Sequence, residues 1–234
     1  MPQFSHVLEK ELKDFFVTPV AYIVITIFLV VTGWFFFSDF FLYDRASLRD
    51  FFGLLPLVFS FIVPAITMRL FAEELSRGSY ELLRTMPLKF SDIIIGKFLA
   101  ALLMTAALLV PTIFYPITVS FLGQLDWGPV VGGYLGALLL GGAFGAIGLF
   151  ASAITRNQIV AFIVAAAICF CLTLINRQLF FFPASILDVL QYIGVDFHFS
   201  NISKGIIDSR DLIYFFSIIF IGLYGTYLVL LQKK

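Results

Sequence analysis

The chain has 234 residues, 61% hydrophobic and 13% charged, with a mean hydropathy of +1.02. A soluble globule of that size needs more polar surface, so the composition excludes a soluble enzyme or binding domain and indicates an integral membrane protein. Fifteen basic and fifteen acidic residues cancel to a formal net charge of zero, which argues against nucleic acid as a partner because phosphate binding draws on a basic excess.

The N-terminal stretch, about 3–18, carries Phe4, Val7, Leu8, Leu12, Phe15 and Phe16 on one helical face, with Glu9, Lys10, Lys13 and Asp14 on the other. Such a helix lies in the plane of the membrane interface; the alternative is a polar leader that happens to be amphipathic. It lacks the small-residue cleavage site and short apolar core of a cleavable signal peptide. Uncharged runs then follow at about 20–38, 51–68, 98–119, 130–155, 158–176 and 212–231. At about 1.5 Å per helical residue, each is long enough to cross a hydrocarbon layer about 30 Å thick.

Pro56 and Pro64 are tolerated in the second run because neighbouring helices can satisfy the freed carbonyls. Pro111 and Pro116 predict a kink in the outer half of the third. The fourth contains seven glycines, among them Gly132, Gly136, Gly141 and Gly145. In lipid, helices associate by close van der Waals approach, so this face marks tight packing, either against a dimer partner or against another helix of the same chain. Residues 156–158 make a tight turn. Residues 177–211 are the least regular part: 183–193 is amphipathic but too short to cross, which predicts a shallow or re-entrant outer hairpin. The stretch 194–211 reads as an outer loop, ending in Asp208-Ser-Arg-Asp211, where an acidic N-cap opens the last helix.

Between the second and third runs, residues 69–97 carry nine formal charges. The contrast with the uncharged flanks predicts a wet platform made of two short surface helices, bent at Gly78 and ended by Pro87. With six spans, both termini and the platform share one side, and that side holds ten of the fifteen lysines and arginines. The excess of basic residues predicts that this side is cytoplasmic.

Chemistry is mostly missing. None of the six runs contains Asp, Glu, Lys, Arg or His, which disfavours a proton-coupled transporter. No G-x-x-x-x-G-K-[ST] loop occurs, so any ATP work, with the magnesium it needs, must come from another subunit. Cys169 and Cys171 sit two apart in an apolar run and form no disulfide framework or metal site. Glu73-Glu74-Leu-Ser-Arg77 comes near the E-E-x-x-x-R pattern of glutamate intramembrane proteases, but its arginine is one residue early and no histidine lies within a span. With no G-x-S-x-G elbow either, no catalytic residue is assigned. His198, beside Asp196, reads as a solvated loop histidine near a carboxylate, with an external ligand site as the alternative.

The platform residues Glu73-Glu74-x-x-x-Gly78-Ser79-x-Glu81-Leu82-Leu83-x-Thr85-x-Pro87, followed by Gly96-Lys97-Phe98, resemble the cytoplasmic loop of ABC-2 type transporter permeases. The likeness continues in FFVTPVAY, in Pro64 to Met68, in Asn157-Gln158-Ile-Val-Ala-Phe and in Lys204-Gly-Ile-Ile-Asp208-Ser-Arg-Asp211-Leu. Within that family the chain is most similar to the gliding-motility-associated permease subunit, and next to the permease of the nitrous-oxide-reductase maturation transporter.

The resemblance implies an all-α integral membrane protein of the type V exporter kind, with one transmembrane domain over 1–234. Its parts would be six transmembrane helices, an N-terminal elbow helix, a cytoplasmic coupling helix and an outer re-entrant hairpin. It further implies a permease subunit, without cofactor of its own, in a bacterial cytoplasmic membrane. The implied partners are an ABC ATPase, a second permease copy or paralogue, membrane lipid, and an auxiliary subunit with an extracytoplasmic domain. Glu73, Glu74, Arg77, Gly78, Glu81, Arg84 and Pro87 are the expected ATPase-docking residues. A membrane scaffold or assembly factor for an extracytoplasmic system would share the composition and differ only in its company.

Overall fold

The computed structural model describes residues 4–43, 47–79, 89–177 and 191–233, with the backbone alone at 39–43 and 177. Among these residues there are helices and no strand. The elements are α1 (Phe4–Val17), α2 (Pro19–Tyr43), α3 (Arg49–Thr67), α4 (Arg69–Arg77), α5 (Phe90–Leu109), a 3-10 turn (Val110–Ile113), α6 (Phe114–Leu122), α7 (Trp127–Ile154), α8 (Gln158–Arg177), α9 (Val195–Ser203) and α10 (Ser209–Gln232). Among the described residues, six helical stretches are long and apolar enough to cross a membrane: Pro19–Ser38, Arg49–Arg77, Phe90–Leu122, Trp127–Ile154, Gln158–Asn176 and Ser209–Gln232. Their outward residues include Trp34, Phe121 and Ile221, each more than two-thirds exposed, which suits contact with lipid and not with water.

The glycine-rich α7 is the hub. Of its most apolar stretch 72% is buried, against 17% for α10, and it touches α3, α4, α5, α8, α9 and α10. A Cβ on Gly132 would strike the carbonyl of Ile202, one on Gly136 would crowd Ile202 and Phe199, and one on Gly141 would strike Thr105. Gly145 has room, with Ala101 and Val63 at 3.9 and 4.0 Å. All four glycines of the predicted packing face are therefore covered by helices of the same chain. On the other side of the contact, a Cβ on Gly222 would lie 2.9 Å from backbone atoms of Ala146, so α10 rests directly on α7.

Several boundaries differ from those expected. The second span does not stop at Met68, whose φ of −54° and ψ of −32° are helical, so α4 continues α3 towards the platform. The third span begins at Phe90 and runs to Leu122, interrupted by the 3-10 turn at Pro111. The kink lies where a proline lacks the N–H to donate, and Thr112 Oγ1 donates back to the carbonyl of Leu109 at 2.7 Å.

Residues 195–203 are not a loop. They form α9, with Val195, His198, Phe199 and Ile202 buried, because an apolar residue every three or four positions gives the segment a face to lay on α7. Asp208 caps α10 by accepting from Arg210 N at 3.0 Å, and Asn157 caps α8 by accepting from Ile159 N at 2.9 Å. The predicted outer hairpin around 183–193 falls largely outside the described residues.

Candidate functional site

Charges do lie within membrane-length helices. Lys97, expected on the wet platform, is 1% exposed inside α5. Its ammonium donates to Glu11 Oε1 at 2.6 Å and to the carbonyl of Leu70 at 2.7 Å, and it forms an ion pair with Glu74 Oε1 at 2.9 Å. Lys10 approaches the same two carboxylates, at 3.1 Å from Glu74 and 3.6 Å from Glu11. Two lysines and two glutamates thus make a neutral cluster that joins α1, α4 and α5. Buried charges are tolerated only when paired and hydrogen-bonded in this way.

The backbone geometry brings these side chains together. In α1, Val7, Glu11 and Phe15 stand four residues apart on one buried stripe. Gly96 has no Cβ, and one placed there would lie 2.9 Å from Val7 Cβ and 3.0 Å from the carbonyl of Phe4. The elbow helix therefore rests on α5 at Gly96, and one turn further along α1 Glu11 meets Lys97. The guanidinium of Arg69 lies 4.3 Å from the centre of the Phe15 ring and donates to Thr18 Oγ1 at 3.4 Å.

The junction of α3 and α4 is fastened to the hub. Ser152 Oγ of α7 accepts from Phe71 N and Ala72 N, both at 3.0 Å, and donates to the carbonyl of Met68 at 2.8 Å. The first N–H groups of a helix have no partner within it, and here a serine from another helix supplies one. At the same end, Lys233 donates to the carbonyls of Ala153 and Ile154 at 2.7 and 3.1 Å, closing the C-terminus of α7 as a cation should. Burial, with repulsion from Arg156, holds the Lys233 ammonium below the ordinary lysine range. Burial also acts to lower the pKa of Lys10, but the Glu74 and Glu11 carboxylates outweigh it and hold Lys10 above the ordinary value.

The predicted docking residues divide into groups. Glu73 and Arg77 pair at the surface at 2.7 Å, and Gly78, with φ of 72°, ends α4 in a left-handed turn that disfavours a side chain. Glu74 is buried and faces Lys10 and Lys97. Glu81, Arg84 and Pro87 lie outside the described residues. Glu11 and Lys97 were not among the sequence candidates. A signal was present: Glu11 sits on the apolar stripe of α1, and a carboxylate on a buried face requires a buried cation. Among the described residues no group of three or more His, Cys, Asp or Glu could hold a metal.

A second buried polar group lies at the opposite end of the bundle. His198 is fully buried, not solvated, and it pairs with Asp211. Its Nδ1 lies 2.6 Å from Asp211 Oδ1, its Nε2 lies 2.9 Å from the carbonyl of Tyr192, and Tyr214 stacks on the ring at 4.0 Å. The carbonyl only accepts, so Nε2 carries a proton, and a second proton lies between Nδ1 and the carboxylate.

No match to a curated protein was found. A family model described as ABC-2 type transporter matches residues 2–194, which takes in α1, the ion cluster, the Ser152 junction and the whole of the hub. The chain belongs to the ABC-2 type transporter family.

Proposed function

We propose that this membrane-spanning ABC transporter subunit is the permease of an exporter, driven by a separate ATPase that docks on the exposed edge of α4. The observation that carries this reading is the buried cluster of Lys97, Glu11, Glu74 and Lys10. It makes α1, α4 and the start of α5 one rigid piece, while Glu73, Arg77 and Gly78 remain outside it for a partner to touch. A partner that draws α4 sideways then carries the elbow and the third span along. Such motion shifts populations only if its contacts differ between the two states.

One set of six helices, packed around α7, is too few to enclose a sizeable path, so the proposed route runs between this chain and a second permease. The platform side is assigned to the cytoplasm of a bacterial inner membrane, with both termini there, from its excess of basic residues. The gliding-motility-like subtype, with an auxiliary extracytoplasmic partner, rests on the platform and loop motifs.

The test is affinity purification of the tagged chain from its native membrane. Wild type is expected to bring down an ATP-binding-cassette subunit, and the variant Glu73→Lys with Arg77→Glu should insert normally but lose it. Recovery of wild type without any such ATPase favours the scaffold reading, and unchanged recovery by the variant removes the exposed edge of α4 from the mechanism.

A further inference from the structure

Beside the ion cluster, α1 and α4 enclose a cleft of about 460 Å³, lined by Lys10, Asp14, Thr18, Arg69, Glu73 and Glu74 among others. Most of its charges neutralise one another, Lys10 against Glu74 and Arg77 against Glu73. Three groups are left over. Arg69 is half-buried and makes only its long bond to Thr18 and its contact with the Phe15 ring, with no carboxylate in ion-pair range among the described residues. Asp14 is exposed and likewise has no ion-pair partner among the described residues. Glu74 Oε2 is buried and accepts no hydrogen bond from the described residues.

A guanidinium has five donors in a fork that matches a phosphate, and two acceptor-only carboxylates match an ammonium that can donate. The complement of the cleft is thus a small group bearing one phosphate and one primary amine. Its position narrows the source. Thr18 lies where the interfacial α1 turns into the first span, next to Val17 and Val20, which are 83% and 42% exposed, and the outward residues Tyr22 and Ile23 continue that apolar surface along α2. A ligand held here has a place for acyl chains.

We propose that the cleft binds the headgroup of a phospholipid with a primary amine, phosphate on Arg69, amine on Asp14 at the rim beside Glu74. This is independent of which ATPase the platform serves. The lipid fixes the elbow at the depth where the span begins and completes the hydrogen bonds that the protein leaves open.

Native mass spectrometry of the purified full chain, exchanged into an equimolar mixture of phosphatidylethanolamine, phosphatidylcholine and phosphatidylglycerol of identical acyl chains, tests it. Phosphatidylethanolamine should be retained about tenfold over the other two, the scale of one charge-assisted hydrogen bond. Arg69→Gln should lower that retention about tenfold, and Arg69→Lys, which keeps the charge but loses the fork, should keep only part of it. Asp14→Asn, on an exposed residue whose change leaves the packing intact, should reduce phosphatidylethanolamine to the level of phosphatidylcholine. Equal retention of the three lipids overturns the proposal, as does unchanged retention by Asp14→Asn. If Arg69→Gln spares lipid but loses the copurifying ATPase, the cleft is a protein contact and the lipid assignment fails.

Discussion

The ammonium of Lys97 stands 2.6 Å from the carboxylate of Glu11, across 86 positions of sequence. That bond ties a helix expected to lie on the membrane surface to one that crosses it. Because Glu74 and Leu70 of α4 share the same ammonium, the elbow, the platform and the third span meet at one nitrogen atom.

Lys97→Met should loosen this junction most. Removing one partner of a buried ion pair costs about 3–5 kcal/mol, and the low end is expected because Lys10 still faces both carboxylates. Thermal unfolding in detergent and protease cleavage of α1 would report it. Adding Glu11→Gln and Glu74→Gln should recover much of the loss, since the one charge of the cluster then left, on Lys10, sits on a side chain that is 53% exposed. A triple variant weaker than the single one would show that packing, not charge, holds the elbow.

Ser152→Ala tests the link to the hub. It leaves Phe71 N and Ala72 N without their acceptor, and each unmade buried hydrogen bond costs about 1–3 kcal/mol. Stability should fall by about 2 kcal/mol, and coupling between ATPase and permease should weaken with the insertion level unchanged. A variant as stable as wild type would mean that the α3 and α4 junction needs no partner from α7.

The glycines of α7 and α10 separate two packing ideas. Gly145→Ala should be nearly neutral because its nearest neighbours stand at 3.9 and 4.0 Å, whereas Gly222→Ala must push against the backbone of Ala146 and should destabilise by about 1–3 kcal/mol. Cysteine placed at 145 should not crosslink between two copies, since that face is covered within the chain. Efficient crosslinking there would make α7 an interface between copies.

Lys10 gives the platform an alkaline limit. Its pKa in the folded chain lies above the ordinary 10.5, so its pairing with Glu74 and Glu11 contributes fully below about pH 10.5 and is lost as pH rises through the folded value. Stability should therefore decline above pH 10.5, and Lys10→Met should flatten that limb. An alkaline limb unchanged by the substitution would assign it to other groups.

At the other end of the bundle, Asp211→Asn should be tolerated where Asp211→Ala is not. An asparagine can donate to Nδ1 while Nε2 still donates to the carbonyl of Tyr192, so a neutral ring is satisfied. Alanine leaves Nδ1 buried without a partner, at about 1–3 kcal/mol. Equal damage from both, measured by thermal unfolding, would show that the pair is held by charge.

The order and number of the six membrane-length helices and the amphipathic elbow followed from the sequence alone. Hydrophobic runs of spanning length and a 3.6-residue stripe are local patterns, and a bilayer leaves a chain few other ways to satisfy its backbone. The proline kink and the cap at Asp208 were legible for the same reason, since each depends on residues within a turn or two. What the sequence could not tell is which charges face inward. Glu73 and Glu74 are neighbours of the same type, yet one pairs with Arg77 at the surface and the other with Lys97 inside. His198 has a carboxylate two positions away in Asp196 but is paired with Asp211, thirteen positions on. Only the tertiary structure decided these, because the energy of a buried charge is set by the partner that folding brings to it, and that partner lies on another helix.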